Sequence, residues 1–363
     1  MSKVKFSDVV NNIKVNIDRE HNPYNHYIAG DHMDTEDIHL RRKGSFETDD
    51  VGPAFTRLFK IGQILYGSRR TYLKKAAIAD FEGITANTTF VFESRDESIF
   101  LTKLLPFLIQ SNSFTEWSVK KSKGSTNPYV VFSDLANFEF ELPELKIQKE
   151  YEDILWKIDN TREAYRNLIS SLDKLNKSRF IELFGDIKEK NKWPREKWSD
   201  VCEIINGKDF KSVEDPNGQY AVYGTGGFMA KANQYTCPEN SIIIGRKGTI
   251  NKPLLVKEKF WNIDTAFGVV PNITKVHYQY FYWFCKQFNF MSINKGTTLP
   301  STTKTDLQKI EINVPPLELQ LHFSHLVDQI DKSKFNLKRA IHELDLLTEK
   351  ITSRLFCLND KHK

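Results

Sequence analysis

A gapless shift of 172 positions superposes two parts of this chain, and that internal repeat limits its architecture more than any other feature. "LPELKIQKEYEDILWKID" at Leu142–Asp159 returns as "VPPLELQLHFSHLVDQID" at Val314–Asp331, and "KGSTNP" at Lys123–Pro128 returns as "KGTTLP" at Lys295–Pro300. Between Lys123 and Asp159, 12 of the 37 aligned positions are identical, too many for chance in a stretch without gaps. Upstream the match needs gaps, yet "FSDVV" at Phe6–Val10 pairs with "WSDVC" at Trp198–Cys202, and "GSRRT" at Gly67–Thr71 with "GRKGT" at Gly245–Thr249. The period is far longer than the few tens of residues of a solenoid repeat. It indicates duplication of a whole domain together with a following helix.

At 363 residues the chain has room for two domains, each with its own core. The N-terminal "MSKVKFSDVVNNIKVNIDRE" lacks a secretory apolar run, and the oily patch "YFYWFC" at Tyr280–Cys285 is too short for a bilayer, so a cytoplasmic location and no membrane partner are expected. Cys202, Cys237, Cys285 and Cys357 are scattered without a C-x-x-C pair, which points to reduced structural thiols and no metal site. Residues 1–145 carry 18 Lys+Arg against 20 Asp+Glu, and residues 186–316 carry 18 against 13. Such totals permit a polyanion partner without requiring one, because local patches create the steering field.

Apolar residues recur in alternating steps of four and three along both predicted helices. The seam reads Ile147, Tyr151, Ile154, Ile158, Tyr165, Leu168, Leu172 and Leu175 in the first, and Leu319, Phe323, Leu326, Ile330, Leu337, Ala340, Leu344, Leu347 and Ile351 in the second. A sustained 3.5-residue repeat keeps one stripe toward a partner helix, so the two are expected to form an antiparallel coiled coil. Pro143, Pro315 and Pro316 end a strand and fix where each helix begins. Helices of this kind, roughly 50 Å long at 1.5 Å per residue, would hold two globular units apart about a pseudo-twofold axis.

Both units read as strand-rich, with runs such as "NTTFVFE" at Asn87–Glu93 and "NSIIIG" at Asn240–Gly245 separated by basic, turn-rich loops. Arg and Lys beside Ser, Thr, Asn and Gly are the side chains that contact phosphates and base edges. Enzyme motifs fare worse. "YGTGG" at Tyr223–Gly227 lacks the strand-then-helix setting of a phosphate cradle, "NPY" at Asn22–Tyr24 and Asn127–Tyr129 lacks the second proline of an amino-methyltransferase motif, and no H-E-x-x-H or G-x-S-x-G occurs. Asp134 with "ELK" at Glu144–Lys146 imitates a nuclease spacing, but the repeat has Pro316 and Glu318 where Glu144 and Lys146 stand.

The Pro-Pro strand end followed by Leu317 and Gln320, the helix end "SRFIELFGD" at Ser178–Asp186, "WSDVCEIINGKDFK" at Trp198–Lys211 and "GRKGTINKP" at Gly245–Pro253 together resemble the DNA-specificity subunits of type I restriction-modification systems. The resemblance covers essentially the whole chain and is strongest from Lys123 onward. It implies an α+β protein with two strand-rich target recognition domains, residues 1–145 and 186–316, separated by two spacer helices, residues 146–185 and 317–358. Each domain would read one half of a bipartite site in double-stranded DNA, and the helices would set the unread spacer. The chain itself would be non-catalytic and bind no cofactor. Two methylation subunits would supply S-adenosylmethionine and adenine methylation, and restriction subunits would join at unmodified sites. A DNA-free protein scaffold and a stand-alone methyltransferase or nuclease are the alternatives.

Under that reading Arg69, Arg70, Lys74 and Lys75 in the first unit and Arg246, Lys247, Thr249 and Lys252 in the second contact DNA. Lys123, Ser125, Lys295, Thr297 and Thr298 contribute from a second loop of each. Outward apolar residues such as Leu155, Ile169 and Leu346 would dock the methylation subunits.

Overall fold

The computed structural model describes residues 2–18, 21–189, 193–294, 296 and 300–356. The chain divides into two compact units, one formed by the chain through Ala164 together with the stretch from Arg339, the other by Tyr165–Lys338. Two 40-residue helices, Leu145–Phe184 and Leu317–Phe356, each contribute to both.

The duplication is written in the strand order. In the first unit a four-stranded antiparallel sheet runs Val10–Ile13, Thr89–Ser94, Ile64–Gly67, Ala76–Ile78. In the second the order is Cys202–Asn206, Ala266–Pro271, Ser241–Gly245, Leu254–Val256, again antiparallel. A further sheet in each unit contains one parallel pair, His26–Ile28 with Gly83–Ala86 and Tyr220–Gly224 with Phe260–Asn262. The first unit adds an edge strand, Phe55–Phe59, which makes that sheet four-stranded where the second unit's has three. A two-stranded ribbon closes each unit: Ser2–Lys5 with Glu139–Leu142, and Arg195–Lys197 with Glu311–Asn313. The fold is α+β with an internal repeat.

Phe6 and Trp198 show why the aligned "FSDV" and "WSDV" matter. Each opens a four-residue helical turn, is fully buried, and donates its backbone N–H to the carbonyl of a residue at the same repeat position, Phe138 at 2.7 Å and Ile310 at 2.8 Å, 172 positions apart. Around Phe6 gather Phe92, Phe114, Phe138 and Phe140; around Trp198 gather Phe281, Phe284 and Phe290. Aromatic rings of this size dominate a core's apolar burial.

Gln148 and Gln320, also 172 apart, fasten the long helices to their units. Gln148 accepts from the Leu101 N–H at 3.1 Å and donates to the Ile99 and Pro143 carbonyls, both at 2.8 Å. Gln320 accepts from the His277 N–H at 2.7 Å and donates to the Lys275 and Pro315 carbonyls at 3.1 and 2.8 Å. Both side chains are wholly buried.

Within the second unit Asp173 faces Lys334 and Phe180 faces Phe323, so the helix stretches run antiparallel. The inward stripe differs from the expected one by a single residue at several places. Leu155, expected outside, is completely buried in the first core, while Ile154 is 43% exposed. Ile169 is half-buried and Leu168 47% exposed; Asn176 is buried and Leu175 exposed; Thr348 is half-buried and Leu347 exposed. Leu346 is exposed as expected. Ile158 and Ile330 are buried, and Ile147, Leu172, Leu319, Leu326, Leu337 and Leu344 are half-buried. Adjacent apolar pairs such as Ile154-Leu155 and Leu168-Ile169 satisfy either phase, and packing against the globular units selects one.

Candidate nucleic-acid interface

In the first unit the strand Ile64–Gly67 runs out into Ser68, Arg69 and Arg70. Ser68 anchors the exit by donating from its N–H and its hydroxyl to the Thr88 carbonyl at 3.1 and 2.5 Å. The second predicted loop folds onto it: Val130 N–H donates to the Ser68 carbonyl at 2.9 Å, and Arg70 N–H to the Pro128 carbonyl at 2.7 Å. Lys123 and Tyr129 close that loop by exchanging backbone bonds at 2.8 and 2.9 Å. The two loops, distant in sequence, thus form one ridge that carries exposed Arg69, Arg70, Lys123 and Ser125. Arg70 has φ +49°, a left-handed conformation unusual outside glycine.

The second unit repeats the construction. Gly248 N–H donates to the Pro300 carbonyl at 2.9 Å, and Thr302 N–H to the Arg246 carbonyl at 3.0 Å. Gly248 stands where Arg70 stands, bonds to the proline 172 positions on, and also has positive φ, +79°. The ridge exposes Arg246, Lys247, Thr249 and Lys252, with the Arg246 guanidinium 6.0 Å from the centroid of the Phe267 ring. Lys295, Thr297 and Thr298 lie outside the described residues.

Three of the proposed cations are engaged within the first unit. Lys74 bonds to Asn112 at 2.9 Å and pairs with Glu36 at 3.0 Å, and Lys75 donates to the Gly30 carbonyl at 2.6 Å. Lys123 pairs with Asp134 at 3.0 Å while its side chain stays half exposed. Arg69, Arg70, Arg246 and Lys247 form no ion pair among the described residues. Unpaired cations on a ridge can meet phosphates without first breaking an internal contact.

Sequence reasoning missed the residues behind the first ridge. Lys14, Arg57 and Asn12 lie beside Arg69 and Tyr129, but they come from strand-like runs and not from turn-rich loops. A basic residue inside an alternating run, as in "FTRLF" at Phe55–Phe59, was the available signal. No cluster of potential metal ligands occurs among the described residues, and burial pushes the thiols of Cys202, Cys237 and Cys285 up, Cys237 to about 11.

A family model described as "Type I restriction modification DNA specificity domain" matches residues 16–174 and again residues 190–344. The chain is 25% identical over 130 residues to the type I restriction enzyme EcoDI specificity subunit of Escherichia coli, covering 35% of this chain and 28% of that protein. It is 23% identical over 134 residues to the HindI specificity subunit of Haemophilus influenzae, covering 36% and 29%. The matches therefore span less than a third of these relatives' length. Among solved structures, the S subunit of a type I restriction-modification system from M. genitalium superposes with a TM-score of 0.60 at 15% identity, over 98% of this chain and 96% of that one. A chain from a study of complex assembly and conformational transition of the type I R-M system gives 0.59 at 17% identity, over 98% and 97%. At such identities the likeness is one of fold.

Proposed function

Because the chain belongs to the type I restriction-modification DNA specificity family, we propose that it is the sequence-reading subunit of a methylation and restriction complex. Each unit takes one half of a bipartite duplex site with its two-loop ridge, and the long helices set the unread spacer and dock the partner subunits. The repeated ridge carries this reading: two loops joined by equivalent backbone bonds, with Arg70 and Gly248 at the same left-handed corner and unpaired arginines on the crest. Methylation subunits would bring S-adenosylmethionine and the transfer chemistry, and restriction subunits the cleavage. The chain itself would be non-catalytic, bind no cofactor and work in the cytoplasm. No helix among the described residues is long and apolar enough to cross a membrane. Exposed Phe335, Leu346, Leu347, Ile154 and Leu168 are among the apolar helix positions available for a methylation subunit.

The test is genome-wide adenine methylation in a host that expresses a methylation subunit with or without this chain. A single bipartite motif that needs the chain is the expected result. Co-purification of the two proteins with no motif, and duplex binding insensitive to salt, would overturn it, since phosphate contacts make affinity fall steeply with salt.

A further inference from the structure

Behind the ridge of the first unit lies a cleft of about 460 Å³ whose lining includes Lys14, Arg57 and Arg69 and no carboxylate. Arg57 is its unusual member. It sits at the β-bulge where the pairing of Phe55–Phe59 with Gly83–Ala86 shifts register, a device that re-aims a side chain. Its Nη1 donates to the Thr89 carbonyl at 2.9 Å, which fixes the guanidinium, while its Nε is buried without a partner. It forms no ion pair among the described residues, and burial depresses its pKa. Beside it, both amide atoms of Asn12 are buried and unpartnered. A desolvated cation with no acid and an amide with no bond are costly to keep unless a partner completes them.

The position of each group says what that partner is. Lys14, Arg69 and Asn87 are exposed at the rim, where a duplex presents phosphates; Arg57 and Asn12 are recessed among half-buried Phe90 and Phe132. A group set back between phosphate contacts meets a base edge. A half-buried guanidinium held in place at Nη1 keeps further terminal N–H donors, which match the O6 and N7 acceptors of guanine. Resting on the function proposed above, we infer that Arg57, supported by Asn12, is a specificity-determining residue that takes a guanine edge in the first unit's half-site, with Lys14 and Arg69 on the flanking phosphates. The second unit lacks this device. Among its described residues no strand corresponds to Phe55–Phe59, and buried Ile204 occupies the place of Asn12.

The experiment compares the methylation motif set by the full chain, co-expressed with its methylation subunit, with those set by Arg57→Ala, Arg57→Lys, Lys14→Ala and Arg69→Ala. The wild-type motif is expected to contain a guanine in one half. Arg57→Ala relaxes that one position about tenfold or more and leaves the other half intact, which also reports that the protein is folded. Lys14→Ala and Arg69→Ala reduce methylation at all sites alike. If Arg57→Ala abolishes methylation outright, Arg57→Lys decides: it keeps the charge and loses the fork, so a relaxed position supports base reading and an unchanged motif overturns it. An unchanged motif with Arg57→Ala, uniform weakening without relaxation, or a half-site pair without guanine also overturns the inference. A wild-type chain that sets no bipartite motif would instead overturn the function on which it rests.

Discussion

Gln148 and Gln320 are where the repeat is most exacting, because each satisfies one backbone donor and two carbonyls in a dry setting. Gln148→Leu or Gln320→Leu strands those groups, and each orphan costs about 1–3 kcal/mol. The expected outcome is a lower urea midpoint for either variant. Arg70 makes the opposite case, since a left-handed conformation costs a non-glycine residue about 1–2 kcal/mol. Arg70→Gly should hold or raise the melting temperature while weakening duplex binding for all sequences, with the salt slope reduced by about one if the side chain meets a phosphate. His39 links pH to stability. Its Nε2 bonds to buried Asp159 at 2.7 Å, and that hydrogen bond raises the imidazole above its usual 6.5. A raised folded value stabilises below the unfolded pKa, and the contribution fades as pH rises through the folded one. His39→Asn should therefore flatten the loss of stability seen in urea titrations when pH is raised from 6 to 8.

Among the elements, the first long helix holds one misfit. Asn176 is fully buried on it with neither amide atom bonded. Asn176→Leu removes an unmet desolvation cost, so a gain of about 1–3 kcal/mol in unfolding free energy is expected from denaturant titration. A single buried asparagine can fix register in a helix pair at a cost in stability. The same helix shows how far periodicity carries. The heptad pattern located the helix, and Pro143 its beginning, but wherever two apolar residues stand side by side the inward one was undecided. Ile154 and Leu155 are the sharpest example, for the wholly buried residue is the one that the alternating count placed outside.

For the molecule as a whole, duplication has left two units with the same strand order and the same ridge, while their edges have diverged. Recognition should accordingly be modular. Arg246→Ala is expected to alter one half of the methylation motif and leave the half assigned to Arg57 untouched, read from the same genome-wide experiment. The sequence by itself determined the repeat, the α+β class, the paired helices and the basic loops, because identical spacing and hydrophobic phase survive in one dimension. Tertiary structure decided what depends on which surfaces meet. It joined Ser68–Arg70 to Pro128–Val130 as one ridge, tied Lys74 and Lys75 inward, chose Leu155 over Ile154, and brought Arg57 from an added edge strand to the wall of a cleft. Backbone bonds and burial between segments tens of residues apart leave no periodic trace in a single sequence.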